Sequence, residues 1–253
     1  MIGVGRVIFQ DLPPNSSAPR RWILSINSLK KKFPRKDIPK TPFYVSIAGN
    51  IGVGKSMITT MIGEVFGWRM FYEPVINNPY LDDYYQDMKR WSFHLQVYFL
   101  SKRFEVQKEI LDRPGSAIQD RTIYEDVEIF APTLHRRNCM DNRDYENYRE
   151  IFRNMAAFLQ PPDLIIYLQC RPKTALNRIQ QRARNCESDI PLDFLEDLHA
   201  AYDDWIERAP ALCPVRTIDT EVINLRDDAQ AQEDLLQMIQ DLHHEKHNGN
   251  SQS

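Results

Sequence analysis

The chain has 253 residues, enough to bury one α/β core and within the span of one or two domains. A hydrophobic share of 42%, a charged share of 26% and four cysteines without a CxxC spacing describe a globular protein with free thiols in a reducing compartment. No stretch reaches the roughly 18 apolar residues of a membrane span, so membrane residence is not expected. The formal net charge of −3 is unevenly spread: residues 1–40 hold nine Lys/Arg against two Asp, a balance of +7 that leaves −10 on the remainder. That acidic body speaks against nucleic acid as substrate.

Residues 1–42 read as an extension ahead of the main domain. Pro13 to Pro19 is a turn-rich break, and Leu29 to Lys36 is a basic run, yet Val4 to Phe9 and Trp22 to Ile26 are apolar. Three readings stand: a mitochondrial transit peptide, against which Asp11 and the prolines count; a solvated tail; or an arm that docks its apolar segments on its own subunit or a neighbour.

From Phe43 strands and helices alternate, the pattern of a parallel sheet with crossover helices. Tyr44 to Ala48 is a buried strand. Gly49-Asn50-Ile51-Gly52-Val53-Gly54-Lys55-Ser56 follows, fitting GxxxxGK[ST], and a helix is expected over 55–66. Glycines let successive N–H groups turn in on a phosphate chain, and the helix N-terminus adds its positive end. Lys55 would reach the outer phosphates, and the Ser56 hydroxyl would complete the shell of a Mg²⁺ ion.

A second strand covers Met70 to Glu73 and stops at Pro74, and a helical tract runs from about Pro79 to Leu111. Ser116 to Asp120 is a third strand. Helices follow near 123–136 and 142–159, then a buried strand over Asp163 to Gln169. Helix 173–183, an arginine-rich connection, helix 191–208, a fifth strand over Val215 to Asp219 and a helix over 227–244 complete the domain at 43–245. Residues 246–253 are expected to be a disordered tail. The overall expectation is an α/β fold with a five-stranded parallel sheet flanked by helices.

Ligands of open parallel sheets sit beyond the carboxyl ends of strands. Glu73 and Asp120 end two strands on the side of the loop, where carboxylates suit a general base and a metal or water ligand. Arg121 could hold a carboxylate or phosphate by paired hydrogen bonds. Arg178 and Arg182, four apart on one helix face, with Arg184 beyond, could close as a lid and cancel charge on a transferring phosphoryl group. Tyr84, Tyr85, Trp91, Phe93, Gln96 and Arg103, with Asp126 and Phe130, could stack on and hydrogen-bond a planar polar ring, although unaided the aromatics read as core. His94 reads as structural, and His243, His244 and His247 as dipole partners at the end of the last helix.

These segments together resemble the deoxycytidine/deoxyguanosine kinase-like family of deoxynucleoside kinases, from about Tyr44 to Leu242. The likeness is greatest to the bacterial-type deoxyadenosine/deoxyguanosine kinases. It is carried by Tyr72-Glu73-Pro74-Val75, Asn78-Pro79-Tyr80-Leu81, Arg90-Trp91-Ser92-Phe93-His94-Leu95-Gln96 and Asp120-Arg121-Thr122-Ile123-Tyr124-Glu125-Asp126. The resemblance implies transfer of the γ-phosphoryl of ATP to the 5′-hydroxyl of a deoxynucleoside. Glu73 matches the base that takes the hydroxyl proton, and Arg121 the residue that positions it. Ser56 and Asp120 match the Mg²⁺ positions. Gly49, Asn50, Ile51, Gly52, Val53, Gly54, Lys55, Ser56 and Met57 match the ATP loop, and Arg178, Arg182 and Arg184 the lid.

Tyr85 and Glu187 match residues that bind the sugar 3′-hydroxyl; Gln96, Arg103 and Asp126 match the base-reading set, and Phe130 the stacking ring. Asn77-Asn78-Pro79 replaces a tryptophan common in pyrimidine-handling relatives, and Thr122 a more familiar serine. The first departure, with Arg103 and Asp126, implies a purine, deoxyadenosine ahead of deoxyguanosine, with deoxycytidine open. A nucleoside-monophosphate kinase and a nucleotide-binding switch are the rival readings; the lack of an Asn-Lys-x-Asp run disfavours a GTPase. The resemblance also implies a homodimer; the apolar arm, which has no counterpart in the family pattern, could extend this to a tetramer, and the cytoplasm is the expected compartment, ahead of a mitochondrial one.

Overall fold

The computed structural model describes residues 20–73, 78–182 and 190–250. Five apolar runs form one parallel sheet: β1 (Tyr44–Gly49), β2 (Arg69–Phe71), β3 (Ala117–Asp120), β4 (Leu164–Gln169) and β5 (Val215–Asp219), in the order β2-β3-β1-β4-β5. β1 is central and every residue of it is buried, which is why it reads as an unbroken run rather than an alternation. Ile47 pairs with Asp120 on one side and Ile166 on the other. The chain builds one half of the sheet through β2 and β3, then crosses to β4 and β5. The order therefore reverses beside β1, the position where such sheets bind ligands.

Alternate strand residues divide the core into two layers. Val45, Ile47, Ile166 and Leu168 pack beneath α1 (Arg20–Lys32), α2 (Lys55–Phe66) and α10 (Ala229–Asn250). Ala48, Ile165 and Tyr167 pack beneath α3 (Leu81–Gln86), α4 (Met88–Asp112), α7 (Asn142–Ala156) and α9 (Leu192–Arg208). The expected tract over 79–111 is two helices, because the Asp87 side chain accepts the Arg90 N–H at 3.0 Å and starts α4 afresh. The expected helix over 123–136 is α5 (Ile123–Glu125), a π turn (Asp126–Phe130) and α6 (Ala131–Arg136). The remaining helix, α8, spans Pro172–Arg182.

Residues 20–33 pack on the domain. Trp22, Ile26 and Leu29 recur at helical spacing on α1 and, with Phe33, are buried in the layer over α2. Full burial of a side chain such as Leu29 or Phe33 is worth about 1.5–3 kcal/mol. Lys30 pairs with Glu64 at 2.6 Å, and Ser25 donates to Gln232 at 2.5 Å, so the helix is tied to both α2 and α10. These contacts are those of the third reading, an arm whose apolar residues dock on its own subunit.

The tail needs a correction. α10 runs to Asn250 because Lys246 pairs with Asp163 at 2.6 Å and donates to the Pro42 carbonyl at 3.0 Å, while His247 meets Thr41. His243 is no dipole partner. It lies well before the helix end, fully buried, stacked on Phe43 at 4.8 Å and donating to the Thr41 carbonyl at 2.6 Å; burial lowers its pKa. His94 sits among the rings of Tyr80, Trp91 and Phe93. Cys139, Cys170 and Cys213 are free thiols. Among the described residues no helix is long and apolar enough to cross a membrane.

Candidate active site

The loop leaving β1 requires glycine at both fixed positions. Gly49 has φ +141°, and a Cβ there would meet the Leu168 carbonyl oxygen at 2.4 Å. Gly54, at φ +105°, caps α2 in a conformation that side chains disfavour. The Asn50 side chain folds the turn, accepting the Ile51 N–H at 2.8 Å and donating to the Leu195 carbonyl of α9 at 2.9 Å. Lys55 is buried and donates to the carbonyls of Gly49 at 3.0 Å and Asn50 at 2.9 Å. Burial, reinforced by nearby Arg121, pulls its pKa down to about 8. The Met57 N–H is taken by the Gly54 carbonyl at 3.2 Å, and its side chain packs on the core.

Ser56 donates to Asp120 Oδ2 at 2.6 Å, joining the start of α2 to the end of β3. The other oxygen, Asp120 Oδ1, is buried with no hydrogen-bond partner among the described residues. Burial raises the Asp120 pKa against the pull of Lys55. A hydroxyl and a carboxylate with an idle oxygen fit a hard divalent cation. Mg²⁺ is such an ion, one that keeps water and phosphate oxygens in its shell.

Arg103, on the inner face of α4, is the hub of the site. It is 2% exposed and gives Nε to Asp126 at 2.6 Å, Nη1 to the Arg121 carbonyl at 3.1 Å and Nη2 to Glu73 Oε1 at 2.9 Å. Arg121 Nε lies 3.2 Å from the same Glu73 oxygen. Burial would raise the Glu73 pKa, but Arg121, Arg103 and Lys55 together hold it at about 2. Asp126 behaves oppositely: burial pushes it up to about 7 in spite of Arg103. Asp126 and Phe130 lie on the π turn, whose extra residue per turn re-aims side chains and is common at functional sites.

Glu73 lines a cavity together with Ile51 of the loop, Tyr85, Gln96, Phe130 and Phe194. Gln96 is 2% exposed, and its Oε1 has no partner among the described residues. The Phe130 ring carries the Arg121 guanidinium at 4.4 Å. Arg178 is drawn to the loop from α8, donating to the Val53 carbonyl at 3.5 Å and to Thr220 at 2.9 Å and 3.0 Å. Arg182 lies one turn later on the exposed side of α8. Arg184 and Glu187 fall outside the described residues.

Two residues given no role in the sequence reading belong to this cluster. Glu125 is fully buried and touches the loop, Arg121 and α9; its signal was the Thr122-Ile123-Tyr124-Glu125 spacing of a helix cap, since Glu125 Oε2 accepts the Thr122 N–H at 2.9 Å. Tyr202 of α9 reaches the same place and has no local signal.

A glycine loop at the reversal point of a parallel sheet, facing a carboxylate and guanidinium groups across a cavity, defines a phosphate-loop phosphotransferase. The chain belongs to the deoxynucleoside kinase family, whose description matches residues 45–244. It is 38% identical to the deoxyadenosine/deoxycytidine kinase of Bacillus subtilis (strain 168) over 210 residues, covering 82% of this chain and 96% of that one. It is 39% identical to the deoxyadenosine kinase of Dictyostelium discoideum over 176 residues, 70% of this chain and 71% of the relative. Among solved structures, M. mycoides deoxyadenosine kinase with bound dATP superposes with a TM-score of 0.68 at 32% identity, covering 77% of this chain and 97% of that one. The family and fold expected from the residues both hold, and the chain is a deoxynucleoside kinase.

Proposed function

We propose that this enzyme transfers the γ-phosphoryl of ATP to the 5′-hydroxyl of deoxyadenosine first and deoxyguanosine second. The observation that carries the reading is that Glu73, two residues beyond β2, and Ile51, of the phosphate loop, line one cavity. A nucleoside there would present its hydroxyl between base and donor. Glu73 takes the hydroxyl proton as the oxygen bonds to the γ-phosphorus and the bond to the bridging oxygen breaks, leaving ADP. Arg121 holds Glu73 and the hydroxyl in line, and Lys55 neutralises the outer phosphates. The lid role on the donor is assigned to Arg178, Arg182 and Arg184, and sugar binding to Tyr85 and Glu187. In such transfers the protein chiefly positions groups and cancels charge. Ser56 and Asp120 would hold Mg²⁺, which supplies charge neutralisation on the phosphates.

Gln96, Arg103 and Asp126 read the base, and Phe130 stacks on it. An amide offers a donor beside an acceptor, which matches the N6–H and N1 of adenine and equally the N4–H and N3 of cytosine. This is the specific reason for a second reading, deoxycytidine, and a solved relative holds dCMP and dCDP. A panel of the four natural deoxynucleosides with ATP and Mg²⁺ tests both; highest turnover on thymidine would overturn the base assignment. We also place the enzyme in the cytoplasm as a homodimer through α4 and α7, beside which Phe158 is 71% exposed. Light scattering tests the assembly. Trp22, Ile26, Leu29 and Phe33 are occupied on their own subunit, which leaves the outer face of α1, where Leu24 is 68% exposed, for a tetramer contact.

A further inference from the structure

We infer that Tyr202 and Glu125 are positioning residues that fix the Arg121 guanidinium beside Glu73. This rests on the roles given to Glu73 and Arg121 above. Arg121 has φ +66°, a left-handed conformation that a bulky residue keeps only when its surroundings over-determine it. Its N–H is held by the Ile47 carbonyl at 3.0 Å, its Nη2 donates to the Gly49 carbonyl at 3.2 Å, and its Nη1 donates to the Tyr202 hydroxyl at 2.7 Å. With both terminal nitrogens committed, Nε is left 3.2 Å from Glu73 Oε1, close enough for ion pairing but without a hydrogen bond among the described residues.

The tyrosine can accept that bond because its own proton goes elsewhere: Tyr202 donates to Glu125 Oε1 at 2.7 Å. Burial keeps this hydroxyl protonated far above its ordinary range. The same Glu125 oxygen accepts the Gly49 N–H at 3.3 Å, while Nη1 of Arg121 lies 3.8 Å away. Thus one fully buried carboxylate ties the first residue of the phosphate loop, through a hydroxyl, to the arginine across the site. A buried carboxylate needs such partners, and a packed core would be served at least as well by an apolar side chain. The bracing is reinforced from the same helix, since α9 also holds Asn50 through the Leu195 carbonyl.

The test is Tyr202→Phe in the full chain, which keeps the ring stacked on Tyr167 (5.5 Å) and edge-on to Trp205 (6.3 Å) and removes only the hydroxyl. With deoxyadenosine, ATP and Mg²⁺, kcat should fall about tenfold to a hundredfold, the size expected for a misplaced catalytic group, while both KM values stay within about threefold. Combined with Arg121→Lys, the same substitution should cost less than about twofold further, because the donor it steers is gone. A Tyr202→Phe kcat within about twofold of the parent overturns the inference. So does an equal fold-loss in the Arg121→Lys background, or a kcat loss matched by a fall in the fraction of protein that binds nucleotide. If Tyr202→Phe does not fold, Glu125→Gln replaces it under the same criteria. An inactive parent enzyme would instead strike the kinase reading itself.

Discussion

Replacing Arg103 by methionine removes the hub of the site while keeping most of its length and apolar stem. Asp126 is then left with no cation at 2.6 Å, in a position only 2% exposed at the side chain. Breaking a buried pair from one side costs about 3–5 kcal/mol, because the remaining charge is uncompensated. For a chain of this size each kcal/mol moves Tm by about 2–4 °C, so a fall of roughly 6–20 °C is expected. The pH dependence has a definite sign. A carboxyl whose folded pKa is raised contributes stability at low pH and loses it as pH rises from its unfolded value through its folded one. Asp126 already stands at about 7, and losing Arg103 moves it higher. The Tm deficit of Arg103→Met should therefore be smaller at pH 5.5 than at pH 8. Adding Asp126→Leu should recover much of the loss, since an apolar pair of similar volume replaces the ionic one. Circular-dichroism melts of the four proteins at the two pH values form the assay. A single variant melting within about 2 °C of the parent, or a double variant whose loss equals the sum of the singles, would refute the reasoning.

Glu73→Gln keeps an acceptor beside both guanidinium groups but removes the base, so kcat should fall by about 10²–10⁴ with the nucleoside KM nearly unchanged, read from initial rates. Lys55, at about 8 in the nucleotide-free site, should regain a proton when phosphate arrives. Calorimetric titration of ATP near pH 8.5, in buffers of differing ionisation enthalpy, should register net proton uptake. Leu29→Ala empties a fully packed position between α1 and α2 and should lower stability by about 2–5 kcal/mol, measured by urea unfolding, with kcat at 25 °C little changed.

What the sequence carries of this fold follows from the kind of signal each part leaves. β1 and β4 are largely apolar runs, Gly49 stands where no Cβ fits and Gly54 at a φ that side chains disfavour, so strand, loop and α2 are legible within about a residue. The carboxylates at strand ends, Glu73 and Asp120, follow from topology alone. The π turn at Asp126–Phe130 was not legible, because its sequence is equally compatible with an α-helix and the bulge is fixed by what Arg103 and the cavity require. The docking of α1 was only half legible: Trp22, Ile26 and Leu29 carry a helical period, but the partner surface lies on α2 and α10, far along the chain. Tyr202 is the extreme case, an aromatic on a buried helix face whose hydroxyl has meaning only through residues 81 and 77 positions away.

A carboxylate held near pKa 2 is a poor proton acceptor, and for ester or amide chemistry Glu73 would be a weak candidate base. Phosphoryl transfer asks less of it. In a loose transition state the bond to the leaving oxygen is largely broken before the new one forms, so the alcohol stays close to neutral until late. Its proton becomes acidic only as the oxygen bonds to phosphorus, when even a weak base accepts it. The same two guanidinium groups that depress Glu73 keep it ionised at any physiological pH. They also leave it free of competing protonation while Asp126, a few ångströms from the same Arg103, titrates near neutrality. Two carboxylates on one arginine are thus driven apart, one fixed as a permanent anion, as the proposed orienting of a hydroxyl requires, the other able to carry a proton at the proposed base-reading position. Acidification through pH 7 should accordingly alter discrimination among bases before it alters turnover on the preferred one. kcat/KM ratios for deoxyadenosine and deoxycytidine measured from pH 6 to 8.5 would reveal this, and a ratio constant across that range would contradict it.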